Sequence, residues 1–208
     1  VFEMVNAEIP FDGLHWFFDH AETIDDRNIE RIRQLGGGIA IQHRMAYQGE
    51  YFVNRYGAAA ARRTPPVRRM LEMGIPVGAG SDATRVASYN PWVTLYWLTT
   101  GKTVGGLPLY DDANLLSRHE ALELLTKGSS WFSSEQGRKG AIAPGQLADL
   151  AALSADYWNV PDEQIKHLES VLTVVGGDIV YATEEFTSYG KPLPPVSPDW
   201  SPVHYYEG

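Results

Sequence analysis

Three short polar segments in this chain each follow an apolar run, and each carries a group able to hold a metal ion or move a proton. Asp19-His20-Ala21-Glu22 follows Leu14-His15-Trp16-Phe17-Phe18, Gln42-His43-Arg44 follows Gly38-Ile39-Ala40-Ile41, and Gly80-Ser81-Asp82-Ala83 follows Ile75-Pro76-Val77. Neutral imidazoles and a carboxylate suit zinc or a similar divalent ion. A metal of that kind makes water acidic enough to attack an amide carbon at neutral pH. Asp82 is also the candidate catalytic group, because a carboxylate can take the proton from that water and pass it to the leaving nitrogen. Arg44 and Arg85 lie just past strand ends, where a guanidinium can bind a carbonyl or carboxylate of a substrate. Each residue has an ordinary alternative. Ser81-Asp82 also reads as a turn or cap pair, His20 as a helix cap, and His43 as a hydrogen-bonding loop residue. The arginines also read as ion-pair partners of Asp19, Glu22 or Glu50. Glu22 either orients an imidazole or supplies a first-turn helix acid. His15 falls in mid-strand and His119 at a helix start, while His167 and His204 read as structural or surface groups.

The elements that must position these groups alternate. The run 14–18 reads as a strand buried on both faces, and Thr23 to Leu35 as a helix with Asp25 and Asp26 in its first turn and Gly36-Gly37 after it. A second strand covers 38–42, followed by a long loop through Tyr47, Gln48, Glu50 and Tyr51 and a turn of helix at 52–56. Thr64-Pro65-Pro66 then opens a helix with an N-cap hydroxyl and a first-turn proline, closed by Gly74. A third strand near 75–79 leads to Asn90-Pro91-Trp92, which starts a helix to about Thr100. Repeated strand, polar end and helix predict an α/β fold with parallel strands and right-handed crossovers, whose ligands bind beyond the carboxyl ends of the strands. Further on, Ser117-Arg118-His119-Glu120 is a capping box and 129–132 a short helix. From Gly140 the chain turns β-rich, with strands at 150–153, 171–175 and 179–181 and a hairpin signal at Gly176-Gly177-Asp178.

Composition narrows the chemistry. The chain has 208 residues, no cysteine and a formal net charge of -9. Any metal must therefore be held by histidines and carboxylates, and a nucleic-acid surface, which needs clustered Lys and Arg, is disfavoured. No stretch is apolar for long enough to span a membrane, and no secretory signal is visible, a pattern compatible with the cytoplasm. A small molecule is the expected partner, and a homo-oligomer is compatible with the composition. The start at Val1 inside a helical pattern reads as a piece of a longer chain.

Four motifs in order, Asp19-His20-Ala21-Glu22-Thr23-Ile24, Ile41-Gln42-His43, Gly80-Ser81-Asp82 and Lys139-Gly140-Ala141-Ile142-Ala143-Pro144-Gly145-Gln146-Leu147-Ala148-Asp149-Leu150, carry a resemblance. Together they resemble the C-terminal part of an amidohydrolase-superfamily enzyme, most similar to the amidohydrolase-3 subgroup that includes N-substituted formamide deformylases. The resemblance implies the last three β/α units of a TIM-like (β/α)8 barrel over 1–139, part of a small β-sandwich over 140–190, and a proline-rich tail over 191–208. It implies a divalent metal, zinc, with His20 matching the histidine after strand six and Asp82 the aspartate after strand eight. Gln42-His43 falls where the subgroup has a Gln-Pro pair lining the substrate pocket, so His43 joins Arg44 and Arg85 as a substrate-binding expectation. Asp149 is given a structural role. The family's His-x-His pair, its Lys or Glu after strand four and its strand-five His have no matching motif here. The implied metal site is thus incomplete and the implied partner is the N-terminal part of the barrel. By itself the chain is expected to bind metal weakly and to hydrolyse nothing. The function implied is metal-dependent hydrolysis of amide-like, non-peptide carbon-nitrogen bonds; the alternative is a non-catalytic binding or structural module on the same scaffold.

Overall fold

A computed structural model describes residues 1–83 and 87–192. The chain opens with α1 (Phe2–Glu8) and β1 (Phe17–Asp19), followed by α2 (Asp26–Gln34) and β2 (Gly38–Gln42). Three helices, α3 (Arg44–Tyr56), α4 (Ala58–Ala61) and α5 (Val67–Glu72), lead to β3 (Val77–Gly80) and then α6 (Trp92–Thr100). After α7 (Arg118–Glu123) a π-helical turn, Leu124–Gly128, runs into α8 (Ser129–Phe132). The last part holds β4 (Leu150–Leu153), α9 (Asp162–Ile165), β5 (Ser170–Val175) and β6 (Asp178–Ala182). Two three-stranded sheets result. The first is parallel in the order β1-β2-β3, the second antiparallel in the order β4-β5-β6.

The parallel sheet has two unlike faces, which follow from the two-residue alternation of strands. Ile39 pairs with Val77 and Ile41 with Ala79. All four are buried, in the same core as Ile29 and Ile32 of α2 and Val67 and Met70 of α5. On the other face Asp19 pairs with Ala40, Ala40 with Gly78, and Gln42 with Gly80. That face is nearly bare of side chains toward its carboxyl end. Lower down it is covered by α8: Phe132 packs edge-on against Phe17 with centroids 4.9 Å apart, and a Cβ on Gly78 would lie 2.7 Å from the Phe132 ring. Helix α6 is apolar all round, as a fully enclosed helix must be. Val93 through Leu98 are all buried, and Gly101, left-handed at φ 65°, ends the helix by donating to the Trp97 carbonyl.

Several expectations hold at residue level. Strand β2 spans 38–42 as predicted, the first two strands are parallel, and the Ser117 capping box is formed on both sides. Gly176 and Gly177, both at positive φ, turn β5 into β6, and Asp149 accepts a bond from the Gly176 N–H at 2.7 Å, the structural role expected of it. Others are corrected. The run 14–18 is not a strand buried on both faces: β1 is the edge strand of its sheet, and Phe17 and Phe18 remain 38% and 40% exposed. The segment expected as a loop through Tyr51 is the thirteen-residue helix α3. Its inward face comprises Met45, Ala46 and Gly49, and glycine at 49 is required by close packing, since a Cβ there would lie 2.5 Å from Leu109. Thr64 does not cap α5. Its hydroxyl donates to the Ala60 carbonyl, the Thr64-Pro65 peptide is cis, and α5 starts only at Val67. Helix α2 starts at Asp26, with Asp25 as its N-cap accepting from Asn28. Arg85 and nearly all of the tail from 191 lie outside the described residues. No helix among the described residues is long and apolar enough to cross a membrane.

Candidate active site

The backbone at the carboxyl end of the parallel sheet is unusual at the positions that carry chemistry. Of five non-glycine residues at positive φ among the described residues, three are His20 (72°), Ala21 (55°) and Asp82 (52°). Such conformations cost about 1–3 kcal/mol each and persist where the surroundings enforce them, commonly at functional sites. The surroundings here are identifiable. The His20 N–H donates to the Ala40 carbonyl at 2.7 Å, extending the β1–β2 ladder one residue past β1, and the Ala21 N–H turns back to the Asp19 carbonyl. His20 is thereby directed across β2 toward the end of β3. His20 Nε2 and Asp82 Oδ2 stand 3.2 Å apart, with side chains 48% and 43% exposed.

Both residues open on one cavity of about 320 Å³, which Asp19, Gln42, Gly78 and Gly80 also line. The bare face of the sheet is its floor: a Cβ on Gly80 would have no neighbour within 4 Å. The imidazole nitrogen and carboxylate oxygen converge as two donors of the borderline character that zinc accepts. Among the described residues no group of three or more His, Asp or Glu side chains is placed to hold a metal ion. The pair therefore fits part of a metal's donor set.

His43 lies fully buried at the start of α3 rather than on the cavity wall. Its Nε2 is 3.0 Å from the Ser88 carbonyl and its Nδ1 is 2.7 Å from Thr94 Oγ1. A carbonyl only accepts, so Nε2 carries the proton and Nδ1 of the neutral ring takes the threonine hydroxyl's hydrogen. This ring ties the end of β2 to α6 and to the loop that carries Asp82. Burial pushes its pKa below the usual 6.5, opposed in part by the Ser88 carbonyl and the charge of Asp82. The unfolded chain therefore takes up a proton that the folded chain resists, and stability is full above the ordinary value and lost as pH falls below it. Urea midpoints are expected to fall as pH drops from 7 to about 5, and His43→Gln should flatten that part of the slope. A slope unchanged by His43→Gln would assign the effect elsewhere.

Arg44 is exposed, donates to Gln48 one turn along α3 at 2.9 Å, and is not among the cavity-lining residues. Glu22 neither orients an imidazole nor lies in the first turn of α2. It accepts a bond from Gln42 Nε2 at 2.8 Å. His15 stacks on Trp131 and His119 approaches Glu123, both away from the cavity. Sequence reasoning took Asp19 as an ion-pair partner rather than a cavity residue and did not link Glu22 to Gln42; the alternation Gly38, Ala40, Gln42 along β2 was the available signal for the latter.

Comparisons with known proteins give the family and the fold. Over 184 residues the chain is 27% identical to YtcJ of Bacillus subtilis (strain 168), which bears an amidohydrolase name, covering 87% of this chain and 35% of that protein. It is 28% identical over 165 residues to the N-substituted formamide deformylase of Arthrobacter pascens, covering 78% of this chain and 30% of that one. The chain thus spans about a third of the length of these relatives. In fold it is similar to the atrazine chlorohydrolase of Arthrobacter aurescens TC1 solved with zinc, with a TM-score of 0.60 and 21% identity, over 82% of this chain and 37% of that chain. A family model described as the amidohydrolase family matches residues 1–181, and the chain belongs to that family.

Proposed function

We propose that this chain is the C-terminal part of a metal-dependent hydrolase that cleaves carbon-nitrogen bonds of small, amide-like, non-peptide molecules. The observation that carries the reading is the His20–Asp82 pair, held by left-handed backbone at the ends of two strands of one parallel sheet and facing one cavity. On this reading residues 1–139 are the last three units of a TIM-like barrel, 140–190 part of a β-sandwich and 191–208 a proline-rich tail. His20 and Asp82 hold a divalent ion, zinc, and the other ligands come from outside these 208 residues. When bound, the metal supplies Lewis-acid polarisation and an acidified water. Asp82 takes a proton from the attacking water and returns it to the nitrogen as the carbon-nitrogen bond breaks, so that one water is consumed and an acid and an amine result. Arg85 is assigned to a substrate carbonyl or carboxylate, Arg44, bonded to Gln48 off the cavity wall, is given no such part, and His43 positions the Asp82 loop from behind. A cytoplasmic location belongs to the same reading.

A non-catalytic binding module is the second reading, favoured by the lack of a third metal-ligating side chain among the described residues. The two are separated by assaying the natural full-length protein against N-substituted formamides and acyl amides, before and after chelation. Chelation is expected to abolish hydrolysis and added zinc to restore it. Hydrolysis indifferent to the chelator would overturn the metal-dependent reading, and its complete absence with every amide would favour the module.

A further inference from the structure

We infer that Asn90 is a positioning residue through which α9 holds the far end of the loop that carries Asp82. The inference rests on the hydrolase reading only for Asp82 being a metal ligand. The loop 81–91 joins β3 to α6, and a loop places a side chain firmly only where its own backbone is anchored. Capping accounts for half of the Asn90 amide. Its Oδ1 accepts from the Trp92 N–H at 2.9 Å, one of the donors that the first turn of a helix cannot use internally. Its Nδ2 donates to the Lys166 carbonyl at 3.3 Å, at the end of α9 and 76 residues along the chain. The two bonds fix the orientation of the amide together, since a backbone N–H only donates and a carbonyl only accepts. The Asn90 N–H in turn donates to Ser88 Oγ at 3.1 Å, and the Ser88 carbonyl is the acceptor for His43. One side chain thus ties the start of α6, the Ser88 turn and α9 at a single point, where serine or aspartate would serve as well for a cap alone.

The anchor at α9 is rigid. Ile165 and Leu168 are buried in the same core as Leu95 and Leu98 of α6. The Lys166 ammonium bonds Glu163 at 3.0 Å and the Val104 carbonyl at 3.2 Å, and it stands 4.5 Å from the centre of the Tyr96 ring. Glu163 also accepts from Lys102 at 2.8 Å. The carbonyl to which Asn90 donates is therefore not free to follow a drifting loop. Asn90 is not among the residues that line the cavity, so its effect reaches Asp82 through the backbone. Movement of the Ser88 turn has to break its bond with Asn90 or the one from His43, and both oppose it from behind the cavity.

Two variants of the natural full-length protein separate the cap from the hold. Asn90→Asp keeps an oxygen for the Trp92 N–H and replaces the donor facing Lys166 by an acceptor; Asn90→Ser keeps the oxygen and shortens the side chain. Zinc affinity, read by competition with a chelator, is expected to fall about tenfold in both, the low end of the range for groups that orient a metal ligand. Amide hydrogen exchange over 87–91 should quicken, while exchange over 93–98 and the melting temperature of the zinc-free protein stay as in wild type. With formanilide as substrate, kcat should fall with KM nearly unchanged. Zinc affinity and 87–91 exchange unmoved in both variants would show a cap alone and overturn the inference, as would an equal loosening of 93–98. Should Asn90→Ser fail to fold, the isosteric Asn90→Asp decides. A full-length protein that takes up no zinc and cleaves no amide, yet exchanges faster over 87–91 in Asn90→Asp, would instead remove the hydrolase reading and leave the hold of α9 on the loop standing.

Discussion

Asp82→Asn in the full-length protein is expected to lower kcat by about a hundred- to ten-thousandfold, the range for losing a positioned acid-base group, while leaving thermal stability essentially unmoved. The two halves of this expectation have separate physical grounds. Asparagine keeps the size of the side chain and tolerates left-handed backbone at least as well as aspartate, so the φ of 52° at this position does not oppose the change. The His20–Asp82 contact is made by side chains that are 48% and 43% exposed, and exposed ion pairs contribute about 0–1 kcal/mol to folding. The carboxylate is therefore nearly dispensable for the fold. For the proposed chemistry it is not, because an amide oxygen cannot take the proton from an attacking water and binds a divalent ion more weakly. Turnover measured beside a thermal melt checks both halves. Activity within a few-fold of wild type would show that Asp82 does not move the proton, whatever it holds.

How much of this arrangement was legible in advance depended on whether a feature is local. The turn at Gly176-Gly177 and the Ser117-Glu120 capping box are written within four residues, and both form as read. Strand β2 is a run of small and branched apolar residues between glycines and polar groups, and it needs no partner to be recognised. Helix α3 escaped notice because Gly49, Gln48 and Glu50 interrupt its pattern. Only the approach of Leu109, sixty residues on, explains why glycine is used there. The exposure of β1 could not be read either, since burial belongs to what lies beside a strand and β1 has one neighbour in this sheet.

The same distinction applies to the site. That His20 and Asp82 end strands was visible from apolar runs and the residues that close them. That they approach to 3.2 Å depends on left-handed turns at His20, Ala21 and Asp82, which none of those residue types announces. His43 looked like a wall residue because it follows a strand end, as the other two do. Its partners Ser88 and Thr94 lie 45 and 51 residues along the chain and draw it into the core instead. Long-range hydrogen bonding thus decided between a place on the cavity wall and one behind it.

The largest loss of stability is expected at Trp97. It is fully buried in α6 and packs against Tyr110 with ring centroids 5.6 Å apart. Trp97→Ala should cost about 3–5 kcal/mol, as for other buried aromatic truncations, against a total of about 5–15 kcal/mol for a domain. Trp97→Phe should cost far less, for a reason beyond volume. The Trp97 Nε1 is buried with no hydrogen-bond partner among the described residues, and such a group carries a penalty of about 1–3 kcal/mol that phenylalanine removes. The cavity left by the smaller ring offsets that relief only in part if neighbouring side chains can close in. Urea titrations of the two variants separate these contributions, and a Trp97→Phe variant as unstable as Trp97→Ala would show that volume alone matters here. The damage should also reach the site, because α6 carries the Thr94 that holds His43. Loosening α6 is therefore expected to weaken the bond between His43 and the Ser88 carbonyl, and with it the hold on the loop that places Asp82.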